Sequence, residues 1–345
     1  MFNFTKKKST TKEQLDFLAI GDVVIDDFID LTDVRIDSDP DEGDGGGKEI
    51  CFRFGDKIEY ENSIVLPAVG NSSNAAVSAH RLGLKTASYS NIGDDKHGQD
   101  ILDTIVAEGM TTDYINIQPG KITNYHYVLR FGPERTILVR HEDYEYALPQ
   151  LVTPPRYIYF SSIGEKAVDF HREVADYCNA HETKLVFQPG TFQIKLGLEK
   201  LGYMYEAADL FFCNKEEAQK ILHSNTDTIP ELLKEMKAKT GEGIVCITDG
   251  AAGAYAYDGS QGWFMPMYPD PAPPVDRTGA GDSFSSTFTT ALALGFDLPT
   301  ALAWGPINSM SVVQKVGAQA GLLTRAELES FLANAPEDYK PKQVI

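Results

Sequence analysis

Asp282 stands where a carboxylate could do chemistry. The stretch from Val275 to Gly295, V-D-R-T-G-A-G-D-S-F-S-S-T-F-T-T-A-L-A-L-G, leaves a loop rich in proline (Pro269, Pro271, Pro273, Pro274). Such a loop is neither helix nor central strand. The chain tightens at Gly279-Ala280-Gly281, and then Phe284, Phe288, Ala291 and Leu292 recur at i, i+4, i+7 and i+8. This predicts a helix from near Gly281-Asp282 to a cap at Gly295. Backbone N–H groups of a glycine-rich turn aimed along a helix axis form an anion site. A carboxylate beside a bound polyanion is repelled, so Asp282 is out of place if the loop only binds phosphate. It fits if it takes a proton while neighbouring amides stabilise a transferring phosphoryl group. The plainer alternative makes Gly279 and Gly281 a turn and Asp282 a helix cap. For an isolated G-A-G-D both readings stand.

Other constellations also allow two readings. Asn214-Lys-Glu-Glu217 follows the run D-L-F-F-C, with Asn214 a natural N-cap and Glu217 at N3, as in a capping box. Thr248-Asp-Gly250-Ala-Ala-Gly253 joins two predicted strands as a glycine-containing turn. Asn308 to Leu322 lies on a helix expected to end at Gly317. Asp22 and Asp26 follow the first apolar run, at the strand end where ligands collect in parallel sheets. Asp26 sits among Val23, Val24, Ile25 and Phe28, where an unpaired carboxylate needs donors such as ligand hydroxyls. It could equally point to solvent beside Asp27 and Asp30. The histidines show no metal-ligand spacing. His126 and His141 fall in a predicted hairpin, where a structural role is expected and contact with a substrate is the alternative. The string G-D-G-G-G-K-E is not a P-loop, because Glu42 stands at the first glycine position and Glu49 replaces the Ser/Thr that would hold Mg²⁺.

The string D-R-T-G-A-G-D-S-F resembles the C-terminal signature D-T-x-G-A-G-D of ribokinase/PfkB-type carbohydrate kinases, through Asp276, Thr278, Gly279, Ala280, Gly281 and Asp282. Arg277 stands where Thr is common. Gly70-Asn71-Ser-Ser-Asn74-Ala-Ala is similar to the family's G-G-N-x-x-N-x-A, with Val69 for the first Gly, and the likeness spans about Asp16 to Leu323. The resemblance implies an α/β fold, a ribokinase-like three-layer sandwich with a central, mostly parallel sheet and a small β lid from about residues 23–65 and 121–142. It implies ATP-dependent phosphorylation of a hydroxyl on a small sugar or sugar acid, with a nucleoside kinase as the alternative. Asp282 would be the general base and Gly279, Ala280 and Gly281 the anion hole. Asp22, Asp26, Gly70, Asn71 and Asn74 would face the substrate. Asn214, Thr248, Gly250, Gly253, Asn308 and Gly317 would line the nucleotide, and Glu217 with Asn214 would hold the Mg²⁺ side. Asp276 and Thr278 would approach a monovalent cation, K⁺, although Gly321 stands where Ser is often found. F-Q-P-G-T (187–191) replaces the D-P-N frequent in sugar kinases and changes the substrate side. A homodimer through the lid is a further expectation. A catalytically dead sugar- or nucleotide-binding protein is the reading from another class, against which the intact Asp282 argues.

The elements that must position these residues follow from the rest of the chain. Its 345 residues carry a formal charge of −19, which argues against nucleic acid or an anionic membrane as partner. An anionic substrate then needs local positive potential from a helix N-terminus or Mg²⁺. Four separated cysteines without a C-x-x-C pair, no signal peptide and no apolar run of spanning length lead us to expect a cytoplasmic protein. Strands are expected at 15–20, 86–92, 156–162, 184–188, 209–213 and 243–248, and helices from Asn71 to Gly83 and over 98–108, 166–181, 215–223 and 229–239. That alternation predicts a parallel sheet covered on both faces. Two β-rich segments, 124–131 and 135–141, flank Gly132-Pro133 as a hairpin. Residues 1–14 and 336–345 are read as tails around a kinase domain at 15–335.

Overall fold

Phe17 and Ala19 pack on one face of the first strand and Leu18 and Ile20 on the other, and all four are fully buried. A strand dry on both faces needs helices on both sides of its sheet. The computed structural model describes residues 13–38, 48–132 and 134–345. Of the expected N-terminal tail, residues 1–12 lie outside the described residues. So do residues 39–47, which fall in the expected lid, and Pro133.

In chain order, β1 (Phe17–Ile20) leads to β2 (Val24–Leu31), β3 (Arg35–Ser38), β4 (Lys48–Cys51) and β5 (Tyr60–Val69). Next come α1 (Asn71–Arg81), β6 (Thr86–Gly93), α2 (Lys96–Ala107), β7 (Ile115–Gln118), β8 (Tyr125–Phe131) and β9 (Glu134–Arg140). Then follow β10 (Tyr157–Phe160), α3 (Val168–His181), β11 (Lys184–Phe187), α4 (Thr191–Ala207), β12 (Leu210–Asn214), α5 (Lys215–Leu222), α6 (Ile229–Lys237) and β13 (Ile244–Thr248). The chain finishes with β14 (Ala254–Tyr257), β15 (Gly262–Met265), α7 (Ala280–Ala293), α8 (Leu298–Val312), α9 (Arg325–Ala333) and β16 (Lys342–Gln343).

Among the described residues the main sheet has ten strands, in the order β16-β15-β14-β13-β12-β11-β10-β1-β6-β7. From β7 to β13 all neighbours are parallel, and β14 to β16 extend the edge antiparallel. One core holds the buried sides of α1, α2, α7, α8 and α9 against Phe17, Tyr159 and Phe212, and the other holds α3 to α6 against Leu18, Phe160 and Phe211. The result is a three-layer α/β sandwich. A second sheet, β5-β2-β8-β9, stands beside it, with β8 and β9 paired as the predicted antiparallel hairpin. Among the described residues no helix is long and apolar enough to cross a membrane.

The structure departs from the sequence expectations in three places. No periodicity marks 191–207, yet α4 forms there, broken at Gly197 (φ 61°), which interrupts the apolar repeat. The helix carrying Asn308 ends at Val312 rather than Gly317, because the Val313 carbonyl turns to accept from the Val275 amide at 2.8 Å and the Asp276 amide at 3.3 Å. Residues 336–345 do not trail free: Tyr339 is buried with its hydroxyl donating to the Ala303 carbonyl at 2.6 Å, and β16 pairs with β15.

The α1–α7–α8 layer closes around a polar knot. Helix α7 is rich in buried Ser and Thr, whose hydroxyls turn back to the preceding turn, as Ser286 to the Asp282 carbonyl (2.6 Å) and Thr289 to that of Ser285 (2.7 Å). Asn308 of α8 is fully buried. Its amide donates to the Thr287 hydroxyl (2.8 Å) and the Ser78 hydroxyl (3.3 Å), and its carbonyl oxygen accepts from the Leu323 amide (3.0 Å). We expect Asn308→Ala to lower unfolding stability by ~1–3 kcal/mol, since buried groups are left without partners. Urea denaturation checks it; a midpoint that does not move would deny the knot any role.

Candidate active site

The loops after β1, β10, β11, β12 and β13 emerge at the carboxyl ends of the parallel strands, and the first turns of α1 and α7 meet there. Two glycines allow the close approach. Gly279 has φ 79°, and a Cβ on it would lie 2.3 Å from that of Ala318, so only glycine lets the loop before α7 rest on residues 317–318. Gly70, between β5 and α1, has φ 116°, and a Cβ there would come within 2.6 Å of the Asp22 carbonyl oxygen.

Asp282, in the first turn of α7, is 5 % exposed. Its Oδ1 accepts from the Asn71 side-chain amide at 2.8 Å and from that of Gln188 at 3.0 Å, and its Oδ2 from Asn74 at 2.8 Å. Burial raises its pKa above the ordinary aspartate value, and the three amides oppose that by stabilising the charged form. In the first turn of α7 the Ala280 and Ser283 amides donate to the Arg277 (3.4 Å) and Gly279 (2.8 Å) carbonyls, whereas those of Gly281 and Asp282, at the helix start, have no acceptor in a preceding turn. Asp282 is therefore a desolvated, hydrogen-bonded carboxylate at the amino end of a helix.

Gln188 is itself held. Its Oε1 accepts from the Ser285 hydroxyl at 2.5 Å and from the Tyr159 hydroxyl, and those two hydroxyls lie 2.7 Å apart. This orients the amide so that its NH₂ faces Asp282. Burial, with the Asp282 charge adding, pushes the Tyr159 phenol well above its usual range, so it stays a donor. Spacing gave no sign of this group, because Tyr159, Gln188 and Ser285 come from three distant segments. The only hint was the replacement of D-P-N by F-Q-P-G-T.

On the other side, Asn214 and Glu217 form the capping box. Asn214 Oδ1 accepts from the Glu217 amide at 2.8 Å, and Glu217 Oε2 accepts from the Asn214 amide at 2.9 Å. Burial raises the Glu217 pKa, the Asn214 amide opposes it, and the Asp282 charge adds to the rise. Glu217 thus senses the Asp282 charge. Thr248 is the register partner of Asn214, and Gly250 and Gly253 bracket the short turn into β14.

The side chains of Asn308, Asp276 and Thr278 have partners inside the chain. Asn308 lies inside the α1–α7–α8 knot, fully buried and with both ends of its amide used. Asp276 and Thr278 bond each other rather than lying open: Asp276 Oδ1 accepts from the Thr278 amide (2.9 Å) and hydroxyl (2.7 Å), and Oδ2 from the Gly317 amide (2.9 Å). Their side chains tie the loop before α7 to residue 317. Toward the second sheet, Asp22 accepts from the Tyr146 hydroxyl at 3.0 Å, while Asp22 Oδ2 and Asp26 Oδ1 are buried without a hydrogen-bond partner. A cavity of 260 Å³ lies alongside, lined by His141, Tyr146, Gly164 and Phe192 among others.

This architecture is shared with known proteins. The Arabidopsis thaliana ribokinase complexed with ribose and ATP superposes with a TM-score of 0.77 at 16 % identity, covering 93 % of this chain and 99 % of that one. A Methanocaldococcus jannaschii nucleoside kinase, a member of the ribokinase family, gives 0.76 at 17 % identity, with 93 % and 99 % covered. In sequence, the ribokinase of Bacillus subtilis (strain 168) is 31 % identical over 272 residues, 76 % of this chain and 87 % of the relative. The 5-dehydro-2-deoxygluconokinase of Bacillus licheniformis is 26 % identical over 288 residues, covering 76 % and 86 %. Fold and relatives define the class as ATP-dependent carbohydrate kinases. The pfkB family carbohydrate kinase model matches residues 47–325, and the chain belongs to that family.

Because Gln188 donates to Asp282, its loss should raise the carboxyl pKa further. For Gln188→Leu we expect the acid limb of the kcat–pH profile to move up by about one pH unit, the equivalent of one charge-assisted hydrogen bond. Gln188→Glu, which sets a second carboxylate beside the first, should move it further. Limbs that coincide with wild type would reduce Gln188 to packing.

Proposed function

We propose that the protein transfers the γ-phosphoryl group of ATP to a hydroxyl of a small sugar, with Asp282 as general base. The observation that carries this is the Asp282 carboxylate, dry, held by three side-chain amides and seated in the first turn of α7. The sugar O–H gives its proton to Asp282 as its oxygen bonds to the γ-phosphorus, and the bond from that phosphorus to the β–γ bridging oxygen breaks, releasing ADP. The N–H groups of Gly279, Ala280, Gly281 and Asp282 receive the charge that develops on the phosphoryl oxygens. Asn214, Thr248, Gly250, Gly253 and Gly317 would lie along the nucleotide.

Few protein ligands are needed for a hydrated Mg²⁺, and among the described residues no three acidic, Cys or His side chains gather as a direct cage. Glu217, oriented by its cap, fits an outer role with Asn214. Bound Mg²⁺ would neutralise phosphate charge. Asp22 Oδ2 and Asp26 Oδ1, buried acceptors without donors, fit sugar hydroxyls, with Gly70, Asn71 and Asn74 at the same edge.

The sheet β5-β2-β8-β9, within residues 23–65 and 121–142, acts in this reading as a lid on a domain spanning 15–335. Its β9 residue Arg135 lies 3.9 Å from Asp276, which supports closure toward the phosphate side. Exposed Val65, Tyr127, Ile137 and Leu138 on the same sheet suit a homodimer through the lid.

Asp282→Asn should fold and bind ATP while kcat falls ~10²–10⁴-fold. The assay is ADP release over ribose, 5-dehydro-2-deoxygluconate and inosine. Undiminished turnover in the variant would remove Asp282 from the chemistry. Activity confined to inosine would replace the sugar by a nucleoside.

A further inference from the structure

Asn74 holds Asp282 by its NH₂, but a side-chain amide can be turned end for end, so its neighbours must set which end faces the carboxylate. Gln319, in the loop that follows α8, is such a neighbour. Its Nε2 donates to the Ala68 carbonyl at 2.8 Å and to Asn74 Oδ1 at 3.0 Å. Asn74 in turn donates from Nδ2 to Asp282 Oδ2 at 2.8 Å. Gln319 is half-buried and Asn74 is 4 % exposed, so water competes little at this junction.

The row has a fixed polarity because one end of it is backbone. A carbonyl oxygen can accept but never donate. The Ala68 carbonyl therefore requires an N–H from Gln319, whose second N–H points at Asn74. Facing a donor, Asn74 must offer its oxygen there and its NH₂ to Asp282. Turning Gln319 over would set its oxygen against the Ala68 carbonyl. Turning Asn74 over would set NH₂ against NH₂ on one side and oxygen against carboxylate on the other. Gln188, a donor to the other Asp282 oxygen, is held by the Ser285 and Tyr159 hydroxyls, and a hydroxyl can play either part. We propose that Gln319 is a positioning residue: it holds the Asn74 amide in the one orientation that serves a charged Asp282 and gives no acceptor to a protonated Oδ2. This rests on the reading of Asp282 as the general base.

Both ends of the row are anchored. Arg81 Nη1 donates to the Gln319 carbonyl at 2.9 Å and to the Leu322 carbonyl at 3.1 Å, and the same guanidinium pairs with both oxygens of Glu108. The Gly317 amide, two residues before Gln319, is held by Asp276. Ala68, in the last turn of chain before α1, has φ 61°, a left-handed setting uncommon for a residue with a Cβ. Its carbonyl takes a second donor, Ser73 Oγ, at 2.5 Å. The titratable groups that face Asp282 come from other elements: Glu217 of α5, which feels the Asp282 charge, and Tyr159 of β10, which stays a phenol. Arg135 of β9 stands at Asp276, and Arg81 and Glu108 neutralise each other behind Gln319. A neutral substitution at Gln319 leaves all of these charges in place, so its influence on Asp282 runs through Asn74.

The test reads the carboxyl itself, without substrate. The full chain is labelled with ¹³C at the aspartate carboxyls, the Asp282 resonance is assigned with Asp282→Asn, and its titration is followed from about pH 3 to 9. In Gln319→Leu the Asn74 amide is free to turn its oxygen to a protonated Asp282. The midpoint should then rise by about one pH unit, a tenfold gain in proton affinity. In an Asn74→Leu background, adding Gln319→Leu should move it no further. An unmoved midpoint in the single variant, or a second shift in the double, would overturn the proposal. A lowered Tm with the midpoint unmoved would reduce Gln319 to packing. Should the leucine variant not fold, Gln319→Met, unbranched and without an N–H, takes its place with the same expectation. Kinetics then separates this inference from the one beneath it. With Asp282 as base, the acid limb of the kcat–pH profile for ribose moves up with the midpoint, while KM for ATP holds. A shifted titration with an unmoved limb would refute Asp282 as the base and leave Gln319 as the residue that orients Asn74.

Discussion

Burying a carboxylate without partners costs several kcal/mol or drives it to its neutral form. Asp282 is kept chargeable in a dry setting because amides from α1 and from the end of β11 converge on its two oxygens. That requirement reaches outward through the structure. Helix α1 must start within reach, so β5 must end in a residue that tolerates φ 116° against the Asp22 carbonyl, and Gly70 fills the place. The Gln188 amide must face the right way, so a hydroxyl pair lies behind it. The loop before α7 must lie flat on residues 317–318, so Asp276 is occupied in tying it there. The contacts from α1 to Asp282 join segments more than two hundred residues apart.

Much of the fold was legible because local patterns agree with the global one. The i, i+4, i+7 spacing of Phe284, Phe288 and Ala291 marked α7, and all three are buried in one core. The short apolar runs at 17–20 and 157–160 announced strands dry on both faces. Helix α4 was not legible, since Gly197 and Gly202 interrupt its repeat and its helical state depends on packing against the sheet. The segment from Val313 was misjudged for a related reason. Nothing in its residues says that the Val313 carbonyl will meet the Val275 and Asp276 amides, thirty-seven or more positions upstream, instead of continuing the helix.

The candidate site was legible where chemistry is concentrated in one string and opaque where it is assembled from several. Asp282, Asn71 and Asn74 lie in compact motifs, and they meet. Asn308 has the composition of a ligand contact, but an asparagine amide serves a buried knot just as well, and only burial separates the two. Gln188 looked like a departure on the substrate side and proves to touch the carboxylate itself. At Asn214 and Glu217 the capping box is formed as the spacing predicts. The box that satisfies two helix-end amides also fixes the Glu217 carboxylate where it senses the Asp282 charge.

Strand β5 runs into α1 with only Gly70 between them. The strand belongs to the small sheet, and the helix carries two of the three donors that hold Asp282. A tilt of that sheet by a fraction of an ångström therefore lengthens or shortens N–H···O contacts on a buried carboxylate, whose proton affinity depends steeply on them. Hinge angle and basicity become one coordinate, so a rigid crosslink between the two sheets would be read out first as a displaced titration curve rather than as a blocked entrance.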